Sequence, residues 1–274
     1  MPAHPPARRA GRRSMRPTDH HTVLRWSPEG LVRVDDEPAR PLLAIDSWLV
    51  DEGAVRGYDL HWARFGGWCA QLGVPEPVLA RFRVAVTAAL PRTGRWFPRV
   101  EAGPSGGLRL RLRPAQPLVR AARVLVAPPG DARVRPRWKG PDLDLLLALR
   151  EQATAAGAGE LIVCDEAGRL VEGAFTSLLW WEDDALCTTP DERTLPGVTR
   201  ALLLAIARAR GVEVRVRAPL PEELAGCETW LVNAAHGICA VTVWDPAGVP
   251  AAPAPRAARW QAALDLAARP LDDA

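Results

Sequence analysis

Lysine is almost missing from this sequence. Of 35 basic residues in 274, one is a lysine, Lys139, and the others are arginine. Tyrosine occurs once, methionine twice and phenylalanine four times, while Ala, Arg, Pro and Gly abound. Such a bias fits a GC-rich coding background, in which arginine replaces lysine wherever a surface charge is enough. No run of 18 or more uncharged apolar residues occurs, which excludes a membrane-spanning helix. The start has no apolar stretch of the kind a secretory signal needs. No solenoid-length repeat is present. Cys69, Cys164, Cys187, Cys227 and Cys239 are scattered, with no Cys-x-x-Cys pair and no His or Cys at metal-ligand spacing. They read as reduced thiols of a cytoplasmic protein without a metal.

The net charge of +3 comes mostly from the N-terminus, where residues 1–18 carry five arginines and no acid. Residues 1–21 therefore read as a disordered, Arg-rich leader, with Met1 or Met15 as the start. The remaining chain holds 30 basic against 32 acidic residues, which argues against a nucleic acid as partner. At 48% hydrophobic residues, there is ample material for a core.

Periodicity places elements of both kinds along the chain. Helices are predicted in "YDLHWARFGGWCAQLG", "PEPVLARFRVAVTAAL", "PDLDLLLALREQATAAG", "LPGVTRALLLAIARARG" and the tail "APRAARWQAALDLAARP", with a short one at "PEELAG". Strands are predicted in "PLLAIDSWLV", "GRWFPRVEA", "GLRLRLRP", "ARVLVAPP", "ELIVCD", "RLVEGAFTSLLWW", "ALCTTP" and "VEVRVRA", and on both sides of "NAAHG". The expected class is α+β in two mixed α/β lobes. Residues 22–128 form the smaller N-terminal lobe, 129–138 a linker containing Pro and Arg, and 139–274 the larger lobe.

Three features carry chemistry. Arginine stays protonated, whereas lysine can lose its proton and attack a carbonyl, so a lysine kept against this bias is a candidate nucleophile. Lys139 also falls where the lobes join, and burial in a cleft would lower its pKa. In "TLPGVTR" a Pro-Gly turn opens a helix, leaving the N–H groups of Val198 and Thr199 for an anion. In "LVEGAFTSLLWW", Glu172 stands in apolar strand text, where a carboxylate needs a partner such as a protonated ring nitrogen. A reactive amine, an anion-binding helix end and a buried carboxylate are together the parts of a pyridoxal 5'-phosphate site.

In order and spacing these motifs resemble the class IV aminotransferases, the fold-type IV pyridoxal phosphate enzymes, over roughly residues 40–245. The group includes branched-chain and D-amino-acid aminotransferases and 4-amino-4-deoxychorismate lyases. "DLHWARF" is similar to the family's His-x-x-Arg segment, which implies that Arg64 binds the cofactor phosphate. The resemblance implies that Lys139 is the Schiff-base lysine, followed by Arg150 at the familiar spacing. It implies that Glu172 pairs with the pyridine nitrogen and that Val198 and Thr199 form the phosphate turn. It also implies a homodimer. Two stretches depart from the pattern. Thr176-Ser177 stands where Ser-Asn is usual, and Ala234 and Ala235 offer backbone N–H groups where several relatives carry hydroxyls.

Enzymes of this group share proton removal from Cα and differ in the fate of the resulting carbanion. "VNAAHG" resembles the Asn-Ala loop of aminodeoxychorismate lyases, and Ser47 falls where such lyases can carry a hydroxyl that assists proton transfer. Both favour elimination to 4-aminobenzoate and pyruvate. The alternatives are an amino-acid transaminase with a 2-oxo acid acceptor and a catalytically degenerate relative that only binds cofactor. His236 and Asn233 are candidate substrate contacts, and Arg109, on one strand face with Arg111, is a candidate for a substrate carboxylate.

Overall fold

A computed structural model describes residues 22–35, 41–245 and 249–273. The leader expected at 1–21 lies outside the described residues. The chain begins with a hairpin of β1 (Thr22–Ser27) and β2 (Gly30–Val34), a pair that the periodicity does not mark. Three strands follow, β3 (Ala44–Ser47), β4 (Val50–Asp51) and β5 (Ala54–Arg56), then helices α1 (Tyr58–Gln71) and α2 (Glu76–Ala89). Next come β6 (Arg95–Trp96), β7 (Arg99–Ala102), β8 (Leu108–Leu112) and β9 (Ala121–Val126). The second half contains α3 (Leu143–Ala155), β10 (Glu160–Cys164), β11 (Leu170–Gly173), β12 (Ser177–Glu182), β13 (Ala185–Thr188) and α4 (Val198–Ala209). It ends with β14 (Val214–Val216), β15 (Thr229–Asn233), β16 (Gly237–Asp245), β17 (Val249–Pro250), α5 (Ala257–Asp265) and β18 (Ala268–Pro270). "PEELAG" forms a single 3-10 turn, Pro221–Leu224.

One sheet sets the wall of the future site. Its order is β2-β1-β8-β7-β3, and its registers align Ser47 with Arg99 and Arg111, and Ile45 with Glu101 and Arg109. Alternation along a strand sends neighbours to opposite faces. Ala44, Val100, Ala102, Leu108 and Leu110 therefore face α1 and α2, where they join Trp48, Trp62, Phe65 and Phe82 in the first core. The strict Leu–Arg alternation of β8 leaves Arg109 and Arg111 on the other face.

The second sheet runs β11-β10-β9-β16-β15-β12-β13-β14, with β17 added to β16. By its position in the sequence β9 counts with the first lobe. Its backbone pairs in parallel with both β10 and β16, so it belongs to the second sheet. Residues 170–182, one strand by periodicity, fold back at Gly173–Thr176, where Gly173 and Thr176 exchange backbone hydrogen bonds. The C-terminal segment crosses between the two halves. Trp260 and Leu264 of α5 pack with Trp181 and Trp230. Beyond them β18 pairs with β5, and Leu271 enters the first core. All five cysteines are free thiols.

Candidate active site

A cavity of about 270 Å³ lies between β3, α1, the start of α3, the 173–177 turn, the 195–200 turn and the 232–236 loop. Lys139 lines it. Its backbone is fixed from β3, because Ile45 donates its N–H to the Lys139 carbonyl at 2.8 Å. Gly140 lies at φ 146°, and an added Cβ would come within 3.1 Å of Ala44 Cα, so the chain after the lysine is pressed against β3 and only glycine fits. No hydrogen bond or ion pair holds the lysine Nζ among the described residues. Burial lowers the amine's pKa to about 8, with Arg64, Arg113 and Arg99 adding to the effect and Asp46 opposing it. A sizeable neutral fraction is thus present near physiological pH.

Opposite the lysine stands the N-terminus of α4. Its first turn has no side-chain cap and no acidic residue, so the amides of Val198, Thr199 and Arg200 have no helical acceptor. Gly197 makes this approach possible, since a Cβ there would lie 2.6 Å from Ser177 Oγ. Arg64 closes the same end by donating Nη1 to the carbonyl of Pro196 at 2.8 Å. Its Nε and Nη2 are held by Asp46, each at 2.8 Å. Uncapped amides, a helix dipole and a fixed guanidinium suit a phosphate group.

The third feature is Glu172, buried on β11. Its Oε1 accepts from the backbone of Leu195 at 3.0 Å and from Arg133. Among the described residues Oε2 accepts from no protein donor. Burial raises this carboxyl to about 7, against the lowering effect of Arg133. Arg133 comes from the 129–138 segment and is itself clamped by Asp131, at 2.9 Å from both Nε and Nη2. Asp142, just ahead of α3, accepts the backbone N–H groups of Val134 and Arg135 at 3.0 and 2.8 Å. The segment expected to be a linker thus carries a buried ion pair into the cavity wall.

The structure brings most sequence candidates to this one cavity: Lys139, Ser47, Arg64, Glu172, Val198, Thr199, Asn233, Ala234, Ala235 and His236. Arg150 also lines it, with its guanidinium 5.5 Å from the Phe175 ring. Asn233 Oδ1 accepts the backbone N–H of His236 at 2.8 Å, which sets the loop's turn. Arg109 does not reach the site and lines a separate surface cavity with Arg25 and Arg33. Arg111 is buried against Glu101. The guanidinium groups that face the cavity from this wall are those of Arg99 and Arg113. Arg99 is paired with Glu101 at 2.5 Å. Arg113 donates its Nε to the Phe97 carbonyl at 3.1 Å and has no carboxylate partner among the described residues. Burial, with Arg99 and Arg111 beside it, lowers Arg113 to about 10.

Sequence reasoning missed Asp46, His61, Arg133 and Arg113. The signal for Asp46 was present, a lone acid inside "LLAIDSWLV". Nothing local marked Arg133, because it resembles the other arginines of its segment.

The family profile described as amino-transferase class IV matches residues 43–244. A search of curated proteins finds no match. Among solved structures, a hypothetical aminotransferase from Mycobacterium tuberculosis in PLP-bound form is similar with a TM-score of 0.76 at 23% identity, covering 92% of this chain and 100% of that one. A putative 4-amino-4-deoxychorismate lyase from Legionella pneumophila has a TM-score of 0.69 at 17% identity, covering 85% and 97%. A branched-chain aminotransferase from Thermoproteus uzoniensis with norvaline has 0.76 at 16%, covering 91% and 99%. These likenesses establish a common fold, the two-lobed one expected from the sequence.

Proposed function

The chain belongs to the amino-transferase class IV family, and from that premise we propose that it is a pyridoxal phosphate enzyme whose Lys139 moves the Cα proton of an amino-acid-like substrate. The observation that carries this reading is that a buried amine of lowered pKa shares one cavity with an uncapped helix end and with a buried carboxylate whose second oxygen has no donor among the described residues. The residues fit the group. The α4 amides, Thr199 and Arg64 would hold its phosphate, and Glu172 would face its ring nitrogen. When bound, the cofactor supplies a carbonyl for covalent capture of an amine and a ring that withdraws electrons from Cα.

The chain's own residues do the remaining work. Lys139 would be the base that takes the Cα proton and returns it elsewhere. Arg133 opposes the protonation that burial favours at Glu172. Trp138 and Phe175 wall the cavity and restrict water. Arg99 and Arg113 offer cationic contacts for a carboxylate distant from the reacting carbon.

Elimination to 4-aminobenzoate and pyruvate is the first reading of the outcome. Ser47 supports it. This buried hydroxyl lines the cavity two residues from Ile45, whose N–H holds the lysine carbonyl, so it can carry a proton to a leaving group. Transamination with a 2-oxo acid is the second reading. It is favoured by Arg113, which has no carboxylate partner among the described residues and suits the distal carboxylate of a dicarboxylic donor or acceptor. Homodimerisation belongs to the same proposal, because Leu147 of the cavity lining and Val134, next to the cavity-lining Arg133, are apolar and exposed, and a second copy would cover them.

The test uses the sole lysine. Protein incubated with pyridoxal phosphate should gain near-visible absorption, lose it on borohydride treatment, and carry the reduced adduct at Lys139. Lys139→Arg should show none of these. Colourless protein that takes up no cofactor overturns the reading. Aminodeoxychorismate yielding 4-aminobenzoate and pyruvate identifies the lyase, whereas glutamate formed from an amino acid and 2-oxoglutarate identifies the transaminase.

A further inference from the structure

The lone acid in "LLAIDSWLV" has no part in the chemistry above, yet its side chain is fully buried. We propose that Asp46 is a positioning residue that sets the phosphate-gripping arginine and the reactive lysine as one unit. The proposal rests on the reading of the α4 turn as a phosphate site.

One carboxylate receives four protein donors. Oδ1 accepts from the Ser47 backbone N–H at 2.7 Å, from His61 Nδ1 at 2.7 Å and from Arg64 Nη2 at 2.8 Å. Oδ2 accepts from Arg64 Nε at 2.8 Å. Burial alone would raise this carboxyl, but Arg64 and His61 hold it well below the usual range, so it stays charged. The fork on Arg64 leaves Nη1 as the nitrogen directed to the 196–199 turn. A bidentate pair fixes the plane of a guanidinium as well as its position.

The same carboxylate is tied to the lysine by two routes. The first is the strand. Asp46 sits beside Ile45, whose N–H holds the Lys139 carbonyl, so side chain and backbone of β3 grip the two halves of the site from adjacent residues. The second is a stack of rings. The Arg64 guanidinium lies 5.6 Å from the Trp68 ring centre, and Trp68 stacks on Trp138 at 6.3 Å and 13°. Trp138 directly precedes Lys139. The strongest charge effects on the lysine amine come from Arg64, Arg113 and Arg99 on one side of the balance and Asp46 on the other.

The experiment uses the full chain, with inorganic phosphate as probe. Phosphate affinity is read from tryptophan fluorescence. The ionisation of Lys139 is read from the pH dependence of its modification by trinitrobenzenesulfonate, resolved from the N-terminal amine by mass spectrometry. Asp46→Asn should weaken phosphate binding roughly tenfold, the size seen when the partner that orients a ligand-binding group is lost. It should also move the Lys139 midpoint below the parent's value of about 8, because a charge that raises it is gone. Asp46→Glu retains the charge but misplaces the fork. It should lose phosphate affinity with the midpoint unmoved, and it serves as the test if the asparagine variant does not fold. In an Arg64→Gln background, Asp46→Asn should add no further loss. Parent-like phosphate binding in both Asp46 variants, or an undiminished further loss without Arg64, overturns the proposal. Failure of the parent to bind phosphate would instead overturn the functional reading beneath it.

Discussion

Arg133 and Glu172, 39 residues apart in the chain, form a buried ion pair whose second oxygen opens on the cavity. The arginine is held from behind by Asp131, so Glu172 meets a cation whose position is already fixed. Replacing Arg133 with Met would leave the buried Glu172 without its cation, while Asp131 keeps Arg193. The expected loss of stability is about 3 kcal/mol near pH 8, the order found when one partner of a buried pair is removed. The loss should shrink toward pH 5, where Glu172 takes up a proton. Urea denaturation at the two pH values measures both quantities.

Glu160 gives a separate handle on pH. It lies buried beneath the 173–177 turn and accepts from the backbones of Leu161 and Phe175, at 3.0 and 3.1 Å. Burial raises its pKa from 4.5 to about 7. The native state therefore binds the proton more tightly than the unfolded chain. Its contribution is fully present below about pH 4.5 and is lost as pH rises through 7. Glu160→Gln should flatten the fall in melting temperature between about pH 5 and pH 8. An unchanged slope would remove Glu160 from the account.

Gly197→Ala should damage both fold and anion site. The new methyl would lie 2.6 Å from Ser177 Oγ, so the turn must move. Overpacking of this kind costs about 1–3 kcal/mol. Ser177→Gly added to Gly197→Ala should restore part of the stability and part of the phosphate affinity. A single variant as stable as the parent would show that the turn yields freely.

Arg113→Met should separate substrates by charge. For a dicarboxylic substrate, KM should rise roughly tenfold or more, as loss of a charge-assisted hydrogen bond predicts. For a monocarboxylic one, kcat and KM should stay near the parent's. Steady-state kinetics on one substrate of each kind decide the point, and an equal loss on both would remove Arg113 from substrate selection.

Much of this site is legible in the sequence. Lys139, Glu172 and the Pro-Gly turn announce themselves because each violates its local background: the single amine, an acid in apolar strand text, and a helix entry without a capping side chain. Arg64 needs the resemblance, since nothing distinguishes it locally from the other arginines. Asp131, Arg133 and Arg113 stay hidden for the same reason in stronger form. In a chain this rich in arginine, a guanidinium gains meaning only from the groups beside it.

The sequence by itself determined the alternation that makes β8 half leucine and half arginine, the helical faces of α1 and α4, and the identity of the one residue able to act as an amine nucleophile. These follow from periodicities of two and 3.6 residues and from side-chain chemistry, which are local properties. Only the tertiary structure decided which arginines of the β7–β8 wall reach the cavity, why Asp46 can stay charged in a core, and that β9 and β18 each join the sheet of the other half. The reason is physical. Burial and charge pairing depend on separations of a few ångströms between residues tens to hundreds of positions apart, and strand pairing of that range leaves no periodic trace in the chain.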